Sequence, residues 1–132
     1  MNVKQPYWEA AQISAGISGG DAKLHYAQFA HETGNFTSEL CLQYNNLAGV
    51  TQVEENDLPQ PDGSFYYMKF DSLDAWARYF GKFIRLFDGA VEATTIEEYA
   101  TALKEGGYFG DTLENYIDGM TSAYDEAFKE DL

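Results

Sequence analysis

The residue most able to do chemistry lies where a predicted helix ends. Glu32 is followed two residues later by Gly34, a residue type that commonly stops helices, and Phe29 and Phe36 lie within reach of it. Apolar neighbours and the negative end of a helix both disfavour an ionised carboxylate, and therefore raise its pKa. A carboxyl group that holds its proton near neutral pH can act as a general acid. The alternative is an ordinary exposed glutamate at a helix end.

The elements that must position this carboxyl are mostly helices, predicted from apolar spacing and capping residues. The clearest has an apolar stripe over residues 73–87. Asp21 is a good N-cap for the helix that carries the glutamate, and Thr95 with Glu98 forms a capping box. Six helices are predicted. The first two cover residues 7–15 and 22–33, and the third is a short segment that is capped by Thr37 or Ser38 and ends at residue 42. The fourth covers residues 73–87, the fifth begins after Thr95, and the sixth begins within residues 111–114.

Two short strands are predicted between the third and fourth helices, at residues 50–55 and 65–70. They are joined around an Asp62-Gly63 pair that suits a turn. A hairpin this small is not stable alone, so it must pack beside the helices and leave a groove between two lobes. We therefore predict one domain over residues 1–132, mainly α (α+β), with about six helices and a small β-hairpin as the second lobe.

The charge of the chain restricts its partners. There are 22 acidic against 8 basic residues, and the net charge is −14. No basic stripe is available to neutralise phosphates, which excludes nucleic acid and disfavours an anionic membrane surface. No apolar run approaches a membrane span, so we expect no membrane insertion. Residues 1–6 lack the pattern of a signal peptide, so export would need a removed signal, a longer parent chain or another route.

Metal and disulfide chemistry are also disfavoured. Cys41 is the single cysteine, which leaves no partner for an internal disulfide. His25 and His31 lie on one predicted helix, six residues apart, without a matching third ligand. We expect neither a metal nor a cofactor.

Four short motifs, in this order along the chain, resemble those of the glucosaminidase family of peptidoglycan hydrolases. They are Gln-Phe-Ala-His-Glu-Thr-Gly at 28–34, Asn-Leu-Ala-Gly-Val at 46–50, Phe-Asp-Ser-Leu at 70–73, and Gly107-Tyr108 with Asn115-Tyr116. The resemblance implies a lysozyme-like fold with Glu32 as the catalytic acid. It also implies that a tyrosine near the C-terminus contacts the reacting sugar, with Tyr108 and Tyr116 as the candidates. His31 stands where the family has an aliphatic residue.

Further substrate-binding candidates are aromatic rings and one amide. Aromatic faces stack on sugars, so Phe36, Tyr44 and Tyr67 are candidates, with Tyr66 as an alternative on the same strand. Asn46 either donates a hydrogen bond to a sugar or holds the hairpin through its backbone, as asparagines in turns often do.

Family members carry a second carboxylate on the hairpin, or use the acetamido group of the substrate instead. The candidates here are Glu54, Glu55, Asp57 and Asp62. Strand alternation points Glu54 and Glu55 to opposite faces, and we favour Glu54, which shares a face with Val50 and Gln52. The alternative is that this acidic cluster is a solvated surface. If two carboxyls act, a separation of about 5 Å predicts retention and about 6.5–9.5 Å predicts inversion.

The resemblance implies hydrolysis of β-1,4 bonds in the glycan strand of bacterial peptidoglycan, with the bond after N-acetylglucosamine as the first choice. The alternatives are a muramidase or lytic transglycosylase on the same scaffold, and an inactive glycan-binding or structural module of a phage or secretion assembly. We expect a monomer that is secreted and acts at the cell wall, or is phage-associated.

Overall fold

Six α-helices and a two-stranded antiparallel sheet make up the computed structural model, which describes residues 1–129. This confirms the predicted fold class. The helices are α1 (Gln5–Ser18), α2 (Ala22–Glu32), α3 (Glu39–Tyr44), α4 (Leu73–Phe83), α5 (Ile96–Glu105) and α6 (Leu113–Phe128). A 3-10 turn at Ile84–Leu86 follows α4, and the strands are β1 (Thr51–Gln52) and β2 (Tyr66–Tyr67).

The predicted capping residues begin the helices. Asp21 accepts hydrogen bonds from two backbone amides at the start of α2, and Ser38 caps α3. Thr95 and Glu98 form the reciprocal capping box of α5. Helix α1 is longer than predicted, because glycine within its last turn does not stop it and Gly19, with φ of 87°, does.

Helix α2 lies at the centre of the bundle, and its residues 24–30 are all buried. Helices α1 and α6 pack against it, and α4 packs against α1. Trp76 and Phe80 of α4 meet Phe29 of α2 edge to face, with ring centroids 5.5 and 4.8 Å away. The predicted apolar stripe of α4 is therefore core.

The β-lobe is smaller than predicted, since each strand has only two residues and Thr51 pairs with Tyr67. The Asn46 side chain supports this short sheet at one end. Its Nδ2 group donates to the carbonyl oxygens of Val50 and Met68 at 3.0 and 2.9 Å, and the Met68 amide also donates to the Val50 carbonyl at 3.0 Å. Backbone pairing therefore continues one residue beyond the strands, where a side-chain amide reinforces it.

A second pairing lies on the other edge of β2. The amide of Tyr67 donates to the Leu58 carbonyl, and the amide of Gln60 donates to the Phe65 carbonyl, each at 2.9 Å. The predicted turn joins these segments, with Gly63 at φ of 75° and its amide donating to the Gln60 carbonyl. Residues 58–60 and 65–67 therefore form the hairpin, and β1 pairs with the opposite edge of β2.

The close packing of α1 on α4 depends on a glycine. A Cβ atom on Gly81 would lie 2.7 Å from Ile17 Cβ and 2.9 Å from the carbonyl oxygen of Ser14. Gly16, on the exposed side of α1, has nothing within 4 Å of the same position. Gly81 permits the two helices to approach closely, whereas Gly16 only lowers the helix propensity of α1.

We expect these two glycines to respond oppositely to alanine. Gly81→Ala should lower the free energy of unfolding by about 1–3 kcal/mol, because the added methyl group overpacks the helix crossing. Gly16→Ala should raise it by roughly 0.5–1 kcal/mol through the better helix propensity of alanine. Urea unfolding measures both, and equal effects would contradict the close crossing of α1 and α4.

Candidate active site

Glu32 is the last residue of α2, and the chain reverses directly after it. Gly34, Asn35 and Phe36 all have positive φ angles, of 60°, 63° and 66°. This conformation suits glycine but is strained for phenylalanine. The Thr33 hydroxyl holds the turn, because it donates to a carbonyl of the preceding helical turn at 2.8 Å and accepts from the Phe36 amide at 2.7 Å. The helix end is therefore a fixed point.

The ring of Phe36 anchors this turn. It is 2% exposed and stacks on Tyr7, with centroids 4.2 Å apart and planes 1° from parallel. Tyr26 packs on it at 5.1 Å. A ring enclosed in this way has no face free for a sugar, so the structure places Phe36 in the core and not among substrate-binding residues.

The Glu32 side chain is reached by solvent, yet protein atoms crowd its carboxyl group. The residue is exposed, but burial of the carboxyl raises the pKa of Glu32 from 4.5 to about 7. The carboxyl is therefore open to solvent on one side and surrounded by protein on the other. This is the environment that a general acid requires.

Three tyrosines from separate elements surround the carboxyl: Tyr99 of α5, Tyr108 of the following loop and Tyr116 of α6. Burial and then the neighbouring charge of Glu32 raise the pKa of each hydroxyl well above its ordinary value. All three therefore remain neutral hydrogen-bond donors across the physiological range. The Tyr108 hydroxyl donates to the Ala48 carbonyl, which ties this cluster to the turn at the β-lobe.

The hydroxyl of Tyr116 is the group that acts on the Glu32 carboxyl directly. It lowers the pKa of Glu32, against the larger effect of burial. Within residues 1–129 the buried hydroxyl makes no hydrogen bond of standard geometry. The ring is held between Phe109, stacked at 3.8 Å, and the edge of His31 at 4.7 Å.

His31 packs tightly against α6. Its ring lies 2.2 Å from where a Cβ atom on Gly119 would be, so only glycine fits there. Burial lowers the pKa of His31, and the charge of Asp111 acts in the opposite direction. The histidine that replaces an aliphatic residue of the family is therefore a packing residue behind Tyr116.

Asn46 uses all of its polar groups within the protein. It is 1% exposed, and besides its two donated bonds its Oδ1 accepts from the amides of Ala48 and Val50 at 3.4 and 3.2 Å. Of the two roles predicted for Asn46, the structure favours the second, in which it holds the hairpin through backbone groups.

The other predicted binding residues lie on or beside the β-lobe. Tyr44 ends α3 and is half-buried, with the Lys69 ammonium 5.3 Å above its ring. Tyr67 is half-buried in β2. Each leaves part of its ring open to solvent.

The predicted second carboxylate lies outside the sheet. Glu54 is exposed and follows β1, which ends at Gln52, so strand alternation does not set its direction. The Gln52 side chain donates a hydrogen bond to the backbone carbonyl of Glu54 at 2.9 Å. Glu55 accepts a hydrogen bond from the Tyr66 hydroxyl at 3.4 Å.

Two residues of this cluster were missed by sequence reasoning. Gln28 lies one helical turn before Glu32 and is fully buried, and its Oε1 accepts a hydrogen bond from the Tyr99 hydroxyl. The signal was present in the motif at residues 28–34, where a glutamine at i−4 shares the face of the acid. Tyr99 lies in the helix predicted to begin after Thr95, and its hydroxyl gave no local signal.

The cluster can hold a protonated carboxyl beside neutral hydroxyl donors, which is suited to protonating a leaving oxygen. Within residues 1–129, no group of three or more metal-ligating side chains occurs. No helix in that range is long and apolar enough to cross a membrane. A separate concavity of about 480 Å³ beside α5 is lined by exposed carboxylates such as Glu92 and Glu97, and it contains none of the residues around Glu32.

The fold is similar to that of three bacterial enzymes of known structure. The peptidoglycan hydrolase from Sphingomonas sp. A1 is 21% identical, with a TM-score of 0.72 over 89% of this chain and 83% of that one. The glycoside hydrolase domain of FlgJ from Salmonella typhimurium is 19% identical, with a TM-score of 0.63 over 92% and 83%. The catalytic domain of the autolysin Auto from Listeria monocytogenes is 17% identical, with a TM-score of 0.61 over 96% and 89%.

Sequence comparison gives the family. Among curated proteins none matches the chain at a significant level. Residues 8–129 match the Glucosaminidase family, described as mannosyl-glycoprotein endo-beta-N-acetylglucosaminidase. That match covers nearly the whole chain and includes each residue of the cluster around the acid. The chain therefore belongs to the Glucosaminidase family and is a glycoside hydrolase.

Proposed function

We propose that the protein hydrolyses β-1,4 glycosidic bonds in the glycan strand of bacterial peptidoglycan, at the bond that follows N-acetylglucosamine. The observation that carries this proposal is the carboxyl of Glu32, which belongs to a residue exposed to solvent and whose pKa burial raises to about 7. The family match and the names of the structural relatives, two of which are hydrolases of peptidoglycan or of glycosides, support the choice of substrate.

Glu32 acts as the general acid in this proposal. Its proton passes to the glycosidic oxygen as the bond to the anomeric carbon breaks, so the leaving sugar departs as a neutral alcohol. The Tyr116 hydroxyl then stabilises the carboxylate that forms. Water adds to the anomeric carbon, and its proton returns to the enzyme or to solvent. The reaction needs water and no cofactor.

The second carboxylate is assigned to the β-lobe, with Glu54 as the first candidate. Glu54 is exposed and free to turn toward the groove, whereas Glu55 is engaged by Tyr66 and Asp57 by Lys69. Asp62 is bonded to Ser64 within the distal turn. In the alternative, the acetamido group of the substrate assists and no second carboxylate is needed.

Binding of the glycan would rest on contacts within the groove. Tyr44 and Tyr67 would offer ring faces from the β-lobe, and Tyr108 and Tyr116 would offer hydroxyl groups from the helical side. A net charge of −14 opposes charge-driven attachment to an anionic wall, so affinity must come from the neutral sugar backbone. The protein would act as a monomer at the cell wall, after secretion or release from a phage.

Glu32→Gln should lower kcat on purified cell-wall sacculi by about 10²–10⁴-fold, because the amide cannot donate an acid proton. In the parent, activity should fall as the pH rises through about 7, where Glu32 loses its proton. Dye release from labelled sacculi measures both. Glu9→Gln, an exposed glutamate on α1, is the matched control and should keep full activity. Parent-like turnover in Glu32→Gln would remove this residue from the mechanism.

The raised pKa of Glu32 also predicts how stability changes with pH. The folded state holds this proton more tightly than the unfolded chain, so the parent loses stability as the pH rises from about 4.5 to 7. Glutamine does not titrate, so the Glu32→Gln variant does not lose stability for this reason. The Tm of the variant minus that of the parent should therefore increase from pH 4 to pH 8 in scanning calorimetry. A difference that stays constant with pH would contradict the raised pKa.

The bond that is cut can be read from the products. Digested strands, reduced with borohydride and separated by chromatography with mass detection, should carry N-acetylglucosamine at the new reducing end. A muramic acid end would indicate a muramidase, and an anhydro sugar would indicate a lytic transglycosylase. Binding to sacculi without any new end would indicate an inactive glycan-binding module.

A further inference from the structure

His25 of α2 is a fully buried ionisable side chain that takes no part in the proposed reaction. Its ring packs against Phe29 of its own helix, Phe80 of α4 and Tyr99 of α5, with centroids 6.2, 5.3 and 6.0 Å away. Burial lowers the pKa of His25 from 6.5 to about 4, and burial raises the pKa of Tyr99. At pH 7 His25 is therefore a neutral base enclosed by uncharged rings.

The hydrogen bonds of Ser14 on α1 show which ring nitrogen of His25 carries the proton. Ser14 Oγ lies 2.7 Å from His25 Nδ1 and 3.0 Å from the carbonyl oxygen of Ala11. A carbonyl can only accept, so the Ser14 proton goes to Ala11 and the Ser14 oxygen accepts from Nδ1. The reverse arrangement would put an unpaired N–H on Nε2, which has no hydrogen-bond partner within residues 1–129. The proton therefore lies on Nδ1, and Nε2 keeps its lone pair.

The turn between α1 and α2 covers this Nε2 atom. A Cβ atom on Gly20 would lie 3.2 Å from Nε2 and 3.1 Å from the Ser18 hydroxyl. That hydroxyl already donates to the Ala15 carbonyl at 3.3 Å and accepts from the Gly20 amide at 3.0 Å. A second proton on His25 would thus place a cation against a closed turn, where it costs far more than an unpaired lone pair does.

The same turn can move, because it borders open space and contains two glycines. Gly19 has φ of 87°, and Gly20 follows it directly. A concavity of about 510 Å³ is lined by both glycines together with Asp21 and Glu92, and His25 is not part of its lining. While the turn is closed, the Asp21 carboxylate accepts from two backbone amides of α2. Displacement of the turn into this space would bring water and two carboxylates to the ring.

We propose that His25 is an acid-sensitive latch, in which proton addition at Nε2 opens the turn between α1 and α2. The proton comes from solvent, and no other group changes its charge. Opening would also loosen the packing of α2 on Tyr99, whose hydroxyl donates to Gln28, one helical turn before Glu32. The latch therefore reaches the candidate active site through α2, and it rests on the proposed function only where activity is measured.

Replacement of the histidine by an aromatic ring that cannot titrate tests the latch. His25→Phe leaves no donor unpaired, since the Ser14 hydroxyl keeps its bond to Ala11. The parent holds the full contribution of His25 to stability above pH 6.5 and loses it as the pH falls to about 4, because the unfolded chain binds the proton first. The Tm of the variant minus that of the parent should therefore rise by roughly 5–10 °C from pH 7 to pH 4. Other carboxyls titrate in both proteins and cancel in this difference.

Hydrogen exchange separates opening of the turn from general loss of stability. The Gly20 amide donates to the Ala15 carbonyl at 3.1 Å, and the Gly106 amide makes the same kind of bond at the end of α5, also at 3.1 Å. From pH 7 to pH 5, the protection factor of Gly20 should fall about tenfold or more in the parent, whereas that of Gly106 should change little. His25→Phe should abolish this fall, and the control variant His31→Gln should retain it.

A measurement on the parent alone keeps the test decisive if His25→Phe does not fold. The ¹⁵N shifts of the His25 ring at pH 7 should show a protonated Nδ1 and an unprotonated Nε2. The opposite tautomer, a constant Tm difference, or an equal fall in Gly20 protection in parent and His25→Phe would overturn the latch. If the enzyme turns over, the acid limb of its pH profile should extend to lower pH in His25→Phe. The expected exchange data in a protein without turnover would support the latch and reject the proposed function.

Discussion

The site depends on one constraint, which is that a carboxyl open to solvent must also be crowded by protein. Water on one side keeps Glu32 accessible to a ligand, and protein on the other removes enough solvation to raise its pKa to about 7. Meeting both conditions requires the residue to stand at a helix end, where one side of the backbone remains covered. A position one turn earlier, such as Gln28, is fully buried.

The surrounding structure can be understood as holding that helix end in place. Three consecutive residues with positive φ angles reverse the chain, and the strain is offset by the stacked ring of Phe36 and by the Thr33 hydroxyl. On the opposite side, the bond from Tyr108 to Ala48 joins the helices to the β-lobe. This bond therefore links the helical side to the chain that leads into the β-lobe, close to Glu32.

Local sequence signals predicted the helices and their caps. The role of Gln28 and the lengths of the strands depend on contacts between distant parts of the chain. The caps at Asp21 and Thr95 could be predicted because capping is settled within four residues, and the α4 stripe because helical spacing marks a buried face. The motif around Glu32 predicted the general acid that we propose. Gln28 could not be assigned a role, because its hydrogen-bond partner Tyr99 lies 71 residues away in sequence. The strands were predicted too long, because their length depends on pairing between segments that are distant along the chain.

The negative charge of the protein and the raised pKa of Glu32 have separate physical origins. The net charge of −14 would itself favour a protonated carboxyl, but charges on the far surface lie beyond a screening length of about 8–10 Å at physiological salt. The pKa of Glu32 is raised by burial, and no neighbouring carboxylate contributes among its causes. A surface that repels anions can therefore coexist with a site in which the surrounding protein raises the pKa of one carboxyl group. The charge opposes non-specific attachment to anionic polymers, so in the function that we propose selectivity would come from the tyrosine hydroxyls and rings that contact the sugar.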